Sequence, residues 1–269
     1  MFYLVDAFTQ VPFKGNPAGV CIVKEYPNSY NMQRMAAYYN WSEIVFVKPI
    51  EKEKFHIRWF SPLDEAPLCG HATLAASHIL FSKKFVNDRV IEYSYDSGIL
   101  RATLNDDQSI SMLFPKKPVF KCSEIPFSVS SLFGIDDYIE ILKDDLIYIV
   151  VMKNSEAVKR AIPNFNLIKE IDARAIAITG RDNNGELDFS SRYFAPKVGI
   201  FEDPVCGSMH CRLACYWQTI LGKSHFRAYQ ASQRSGIIDV EVTEENVKLS
   251  GKAVIICVIK CPNIFQDFT

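Results

Sequence analysis

The sequence predicts an α+β protein built from two similar domains, each a sheet wrapped on one central apolar helix. Three observations carry that prediction. Short β-type runs outnumber helical ones, a strand–loop–Cys-Gly–helix unit occurs twice, and 269 residues exceed what one small core accommodates at roughly 150 residues per domain.

The strands are read from short runs, apolar or alternating, rich in Ile, Val, Phe and Tyr. In the first half they fall at 2–8, 19–23, 44–47, 55–60, 90–95, 99–104 and 110–114. In the second half they fall at 146–152, 175–179, 189–194, 225–230, 237–242, 247–250 and 253–260. Three stretches read as helices: 31–39, preceded by the capping candidates Asn28 and Ser29, then 70–85 and 207–221, both apolar and free of internal proline. Prolines interrupt the pattern at 115–126 and 196–204. Pro115-Lys116-Lys117-Pro118 reads as the linker, which places the domains at 1–117 and 118–269, with the C-terminal strand free to pack on the first.

The duplication is specific. Arg58-Trp59-Phe60-Ser61-Pro62 returns as Arg192-Tyr193-Phe194-Ala195-Pro196, each at the end of a predicted strand. Leu68-Cys69-Gly70-His71 returns as Val205-Cys206-Gly207-Ser208, each opening a long apolar helix. The offset grows from 134 to 137, which a three-residue loop insertion explains. In such a pair the two helix N-termini would face one another across a cleft.

Composition narrows the function. Hydrophobic residues make up 48% and charged residues 23%, ordinary for a soluble globular chain, and the net charge is −1 with both halves near balance. No basic face can be built from that, so nucleic acid and anionic membrane are poor partners. The longest apolar run, 253–259, is far below the roughly 20 residues that span a bilayer, and Asp6 interrupts any signal-peptide core. The 8 cysteines then read as reduced thiols, and the expected location is the cytoplasm.

A helix N-terminus presents unpaired N–H groups and a positive partial charge, and Gly70 and Gly207 would let a ligand approach the backbone closely. Two such ends make a cradle for a carboxylate or a developing enolate; the plainer alternative is a tight strand-to-helix turn. His71, one residue inside the first helix, is expected to be a neutral imidazole, because the dipole disfavours its cation. Asp203 reads either as a helix-stabilising acid or as a site carboxylate. Glu43, in Trp41-Ser42-Glu43-Ile44-Val45-Phe46-Val47, either points to solvent from an edge or occupies an apolar cleft with a raised pKa.

Cys69 and Cys206 each stand at a helix N-terminus, where thiolate is favoured. They could work as base and acid on opposite faces of one carbon, as in cofactor-free racemases. Cys21, Cys122, Cys257 and Cys261 read as small core residues. Cys206, His210, Cys211 and Cys215 lie on more than one helix face and lack short-loop pairing, which argues against zinc. Gly15-Asn16-Pro17-Ala18-Gly19 lacks a Gly-Lys-Ser/Thr end and precedes a strand, so it is not a phosphate loop.

Taken together, Val5-Asp6-Ala7-Phe8-Thr9, Pro12-Phe13-Lys14-Gly15-Asn16-Pro17-Ala18, Ser42-Glu43-Ile44-Val45-Phe46, Arg58-Trp59-Phe60-Ser61-Pro62, Cys69-Gly70-His71-Ala72-Thr73-Leu74-Ala75 and Asp203-Pro204-Val205-Cys206-Gly207-Ser208 resemble the PhzF-like family of phenazine biosynthesis, within the diaminopimelate-epimerase-like fold. The match spans nearly the whole chain and is loose from about 115 to 188. The resemblance implies two pseudo-symmetric domains, each a curled, mainly antiparallel sheet around a helix, in a homodimer. It implies an isomerase that moves a proton within a small carboxylated amino- or hydroxy-acid metabolite, with no cofactor; no metal is expected either, since no metal-binding signature appears in the sequence. The family's acid/base falls on Glu43, its Gly-His motif on Gly70 and His71, and its Asp-Pro-x-x-Gly-Ser motif on Asp203, Gly207 and Ser208. Cys206 departs from the threonine such motifs often carry, and with Cys69 restores the two-thiol arrangement of the epimerase relatives. A two-thiol racemase, or a ligand-binding module without turnover, are the alternatives.

Overall fold

The computed structural model describes residues 1–183 and 185–259. Lys260, with which the last expected strand closes, and Cys261 lie outside the described residues. The described residues divide into two compact units, Met1–Leu113 joined by residues 250–259, and Phe114–Leu249.

The first unit contains β1 (Phe2–Ala7), β2 (Asn16–Ile22), α1 (Ser29–Tyr39), β3 (Glu43–Glu51), β4 (Lys54–Phe60), β5 (Glu65–Ala66), α2 (Gly70–Ser82), β6 (Val90–Tyr95), β7 (Gly98–Leu104) and β8 (Ile110–Pro115). The second contains β9 (Phe120–Lys121), α3 (Val129–Phe133), β10 (Tyr138–Lys143), β11 (Ile147–Met152), α4 (Ser155–Arg160), α5 (Phe165–Glu170), β12 (Ala175–Arg181), β13 (Phe189–Phe194), α6 (Gly207–Leu221), β14 (His225–Gln230) and β15 (Gly236–Val242), followed by β16 (Asn246–Gly251). The last strand, β17 (Ala253–Ile259), pairs antiparallel with β1, from Phe2 opposite Ile259 to Ala7 opposite Ala253.

The two units repeat one pairing scheme. In the first, β1–β2 is antiparallel, β2–β3 parallel, β3–β4 antiparallel, β4–β6 parallel and β6–β7 antiparallel. In the second, β10–β11, β11–β12, β12–β13, β13–β14 and β14–β15 follow the same alternation. The long helix enters at the same place, between β4 and β6 as α2 and between β13 and β14 as α6. The register makes the equivalence exact at residue level: Phe60 pairs with Ile44 and Phe194 with Ile176, so Glu43 corresponds to Ala175.

The echo extends to an ion pair. Arg58 makes a two-pronged bond to Glu65 at 2.7 Å on both prongs, and Arg192 makes one to Glu202 at 2.7 and 3.0 Å. Each guanidinium also lies over the ring two residues on, Phe60 or Phe194. Glu202 stands 137 residues after Glu65, so the three-residue insertion falls between the arginine and its partner.

α2 is buried from His71 through Leu80 except at half-buried His78, which is why its sequence shows no broad polar face. Buried polar groups hold it in place. The indole of Trp59 donates to Thr73 at 3.0 Å, the Thr73 hydroxyl donates back to the Cys69 carbonyl at 2.7 Å, and Ser77 pairs with Tyr93 at 2.9 Å. The helix stops at Ser82, three residues before the expected end, because Lys84 turns left-handed and Phe85 N–H closes on the Leu80 carbonyl. α1 is capped by Asn28 and ends at left-handed Asn40.

β10 and the helices α3, α4 and α5 were not anticipated. Each helix has five or six residues, too few to display a 3.6-residue period, although Ser128, Asn154 and Asn164 cap them. Cys21 and Cys122 are buried, whereas Cys257 is exposed on β17 and is not a core residue. No helix among the described residues is long and apolar enough to cross a membrane.

Candidate active site

Glu43 opens β3, with the register Ala18 opposite Glu43 on β2. The strand behind it, Ile44 to Val47, is fully buried, so the carboxylate sits at the lip of the core with 16% of its side chain exposed. His71 rises to meet it from the first turn of α2. Its Nε2 lies 3.0 Å from Glu43 Oε2. On the other edge of the ring, Nδ1 lies 3.4 Å from both the Asn16 side-chain amide and the Cys69 sulfur. Asn16 begins β2 and is fully buried. Gly15 before it has φ +67°, and an added Cβ would run into the Ala7 carbonyl, so the turn that delivers Asn16 requires glycine.

The charge state of this cluster reverses two sequence expectations. Burial alone would depress His71, but the hydrogen bond to Cys69 and the charge and hydrogen bond of Glu43 hold its pKa well above 6.5, and a charge on Cys69 adds to this only in its thiolate form. A carboxylate at 3.0 Å outweighs the diffuse half-charge of a helix end, so the imidazolium is favoured, not the neutral ring. Cys69 moves the other way. Burial and then the Glu43 charge push its thiol up, against weaker pulls from His71 and the Ala72 N–H. Cys206 is likewise pushed up by burial and by Asp203. Desolvation is the largest influence at both cysteines, and both are favoured as thiols.

Asp203, Cys206, Gly207 and Ser208 belong to the second unit and gather at the start of α6. Asp203 does not cap the helix; that position is Cys206. Its carboxylate accepts instead from the Val205 N–H at 3.1 Å. Gln230, at the end of β14, ties the loop together: its amide donates to the Asp203 carbonyl at 2.6 Å and accepts from the Cys206 N–H at 2.8 Å. Ser208 is exposed, with its hydroxyl 3.4 Å from the Cys206 sulfur. A Cβ on Gly207 would meet only the Leu249 side chain at an ordinary 3.4 Å, so packing does not demand glycine there.

Residues 5–258 match the family model described as phenazine biosynthesis-like protein, PhzC-PhzF. The chain belongs to this family. An uncharacterised isomerase of Halalkalibacterium halodurans is 38% identical over 253 residues, covering 94% of each chain. The crystal structure of a PhzF-family phenazine biosynthesis protein from Enterococcus faecalis superposes with a TM-score of 0.89 at 33% identity, covering 95% of this chain and 96% of that one. A probable proline racemase from Agrobacterium radiobacter shares the fold alone, with a TM-score of 0.62 at 10% identity over 99% of this chain and 94% of that one. The PhzF-like resemblance and the epimerase-like α+β fold thus stand on independent comparisons.

Within this PhzF-like chain, two groups, one beside each long-helix start, carried no assigned role in the sequence. Asn16 lay in a quoted motif, and its signal was a buried-type polar residue after a glycine turn. Gln230 ended a predicted strand and opened a stretch, 230–253, that also matches the family, but had no role attached to it. The helix α6 also buries His210, whose Nδ1 bonds the Cys206 carbonyl at 2.8 Å and whose pKa burial lowers to about 4. That ring is the counterpart of Thr73, which bonds the Cys69 carbonyl.

Proposed function

We propose that this protein is a cofactor-independent isomerase in which Glu43 removes a proton from one carbon of a small carboxylated substrate and returns it to another. The observation that carries the reading is the pairing of Glu43 Oε2 with His71 Nε2 at 3.0 Å, at the lip of a buried core and beside a helix start. A carboxylate so held has one oxygen fixed and the other available to a C–H bond. Abstraction leaves Glu43 as a carboxylic acid and an anion spread over the substrate's conjugated system; redelivery restores both. The substrate supplies its own conjugation, so no electron sink is required.

His71 and Asp203 orient the amino and hydroxyl groups of an amino- or hydroxy-acid substrate. Ser208 and the N–H groups at Gly70 and Gly207 bind its carboxylate. The protonated state favoured at Cys69 and Cys206 supports Glu43 as the base over a two-thiol racemase, which needs one thiolate at rest.

The test is incorporation of deuterium from D2O into carbon positions, followed by NMR over a panel of small cyclic amino-hydroxy acids and α-amino acids. The expected result is solvent exchange coupled to isomerisation, lost in Glu43→Gln and kept in Cys69→Ala and Cys206→Thr. Exchange that survives Glu43→Gln but vanishes in either cysteine variant would replace this reading with the two-thiol mechanism.

A further inference from the structure

The donor set gathered at the start of α2 has a capacity that proton transfer does not use. Glu43 offers a carboxylate oxygen, Cys69 a sulfur and His71 a ring nitrogen, and all three ligand atoms lie within 4.8 Å of one another. We propose that Glu43, Cys69 and His71 form a site for a thiophilic divalent cation of the zinc type, which inhibits the protein by occupying its acid/base. The inhibition rests on the role given to Glu43 above; the binding does not.

The distances suit such an ion. With Zn–S near 2.3 Å and Zn–N and Zn–O of about 2.0–2.1 Å, tetrahedral ligands stand about 3.3–3.6 Å apart. His71 Nε2 is 3.0 Å from Glu43 Oε2, whereas Cys69 Sγ lies 3.4 Å from Nδ1 and 4.0 Å from Nε2, so an ion held by Nε2 parts the first pair by a few tenths of an ångström and requires the sulfur to swing round to the Nε2 side of the ring. Rotation about the Cys69 Cα–Cβ bond is the movement that binding calls for. The donor types select the ion. One oxygen, one nitrogen and one sulfur fit zinc, cobalt or cadmium and disfavour magnesium or calcium, which take oxygen alone.

Binding is balanced by proton release to water, one from the Cys69 thiol and one from His71 Nε2. The proton kept on Nδ1 then faces Asn16, whose amide, turned to present its oxygen, accepts it in the manner usual around metal-bound histidines. The fourth tetrahedral position stays open to water. The second unit lacks the set. Beside Cys206 stands Ser208 in place of an imidazole, and His210 spends its Nδ1 on the Cys206 carbonyl. Sequence spacing hides the site, since a lone Cys-x-His with a glutamate far upstream matches no zinc pattern.

Cobalt chloride added to the full-length protein without substrate provides the test. Expected are one equivalent of bound Co2+ with a thiolate-to-cobalt charge-transfer band, displacement by Zn2+, and at least ~10-fold weaker binding in Cys69→Ser and in His71→Ala. Cys206→Ser should leave the band intact. No charge-transfer band in the wild-type protein, or a band that survives Cys69→Ser or disappears with Cys206→Ser, overturns the proposal. The readout needs no turnover, so it stands or falls apart from the isomerase reading: a lost reaction in Glu43→Gln with no cobalt band would keep the isomerase and remove the cation site.

Discussion

The two units share a pairing scheme, an Arg–Glu clamp and a Cys-Gly helix start, yet their chemical residues do not repeat. Where the first unit has Glu43 at the head of a strand, the second has Ala175. Where the second has Asp203 one residue after its clamp glutamate, the first has Ala66 after Glu65. His71 corresponds to Ser208, and Thr73 to His210. Each copy carries one carboxylate that the other lacks at the equivalent position. The first unit therefore concentrates charge, a glutamate against an imidazolium, while the second offers hydroxyl, amide and backbone groups with a neutral histidine. The same framework thus carries two different sets of side chains at its helix starts.

The sharpest break of that comparison is Glu43→Gln, expected to lower turnover by about 10²–10⁴-fold, the usual contribution of a positioned acid/base. Ala175→Glu, at the equivalent strand position, should gain nothing, since no imidazole stands opposite; steady-state rates on one substrate check both. Next in size is the clamp. Arg192 and Glu202 expose only 11% and 18% of their side chains, and the guanidinium also donates to the Ala161 carbonyl at 2.6 Å, so Arg192→Met should cost about 3 kcal/mol. Arg58 and Glu65 are 22% and 37% exposed, and Arg58→Met should cost at most about 1 kcal/mol. Urea midpoints of the two variants would reverse the ranking if burial does not govern the pair.

The histidines separate the units by pH. His210 is neutral when folded, with its pKa lowered to about 4, whereas the unfolded chain takes up that proton near 6.5. Its contribution is complete above pH 6.5 and is lost as pH falls toward 4, amounting to about 3 kcal/mol across that window. His71 has the opposite sign. Its folded pKa is raised, so its contribution is complete below pH 6.5 and is lost as pH rises through the folded value. Unfolding titrations should therefore show an acid-side slope removed by His210→Gln and an alkaline-side slope removed by His71→Asn. The smallest expected effect is Cys206→Thr, which keeps volume and a hydroxyl group while removing the thiol, and should change turnover by no more than about twofold.

Much of this division was legible before the fold was seen. The repeated Arg-aromatic-Phe and Cys-Gly segments located both strands and both long helices, because periodicity and rare composition are local signals. Glu43 stood out for the same reason, as a charge set in an apolar run. The charge states of His71 and the two cysteines were not legible. They depend on a contact across 28 residues of chain and on desolvation, neither of which is visible in one dimension. β10 was missed because Glu140 and Lys143 break a short run, and Gln230 because its partners are brought to it only by the sheet.

The pairing of β1 with β17 sets an order of events on the ribosome. Residues 114–249 form a contiguous unit, whereas β1, made before them, must wait for residues 253–259. The unit that begins the chain is therefore the last to be finished, and the apolar flank of Phe2, Leu4 and their neighbours stays without its outer strand throughout synthesis. Prior closure of the middle unit shortens the effective tether between the two distant strands, lowering the entropic cost of bringing them together. Nascent-chain folding should thus run inward to outward, and a pause in translation before residue 253 would leave a sticky sheet edge for chaperones to cover.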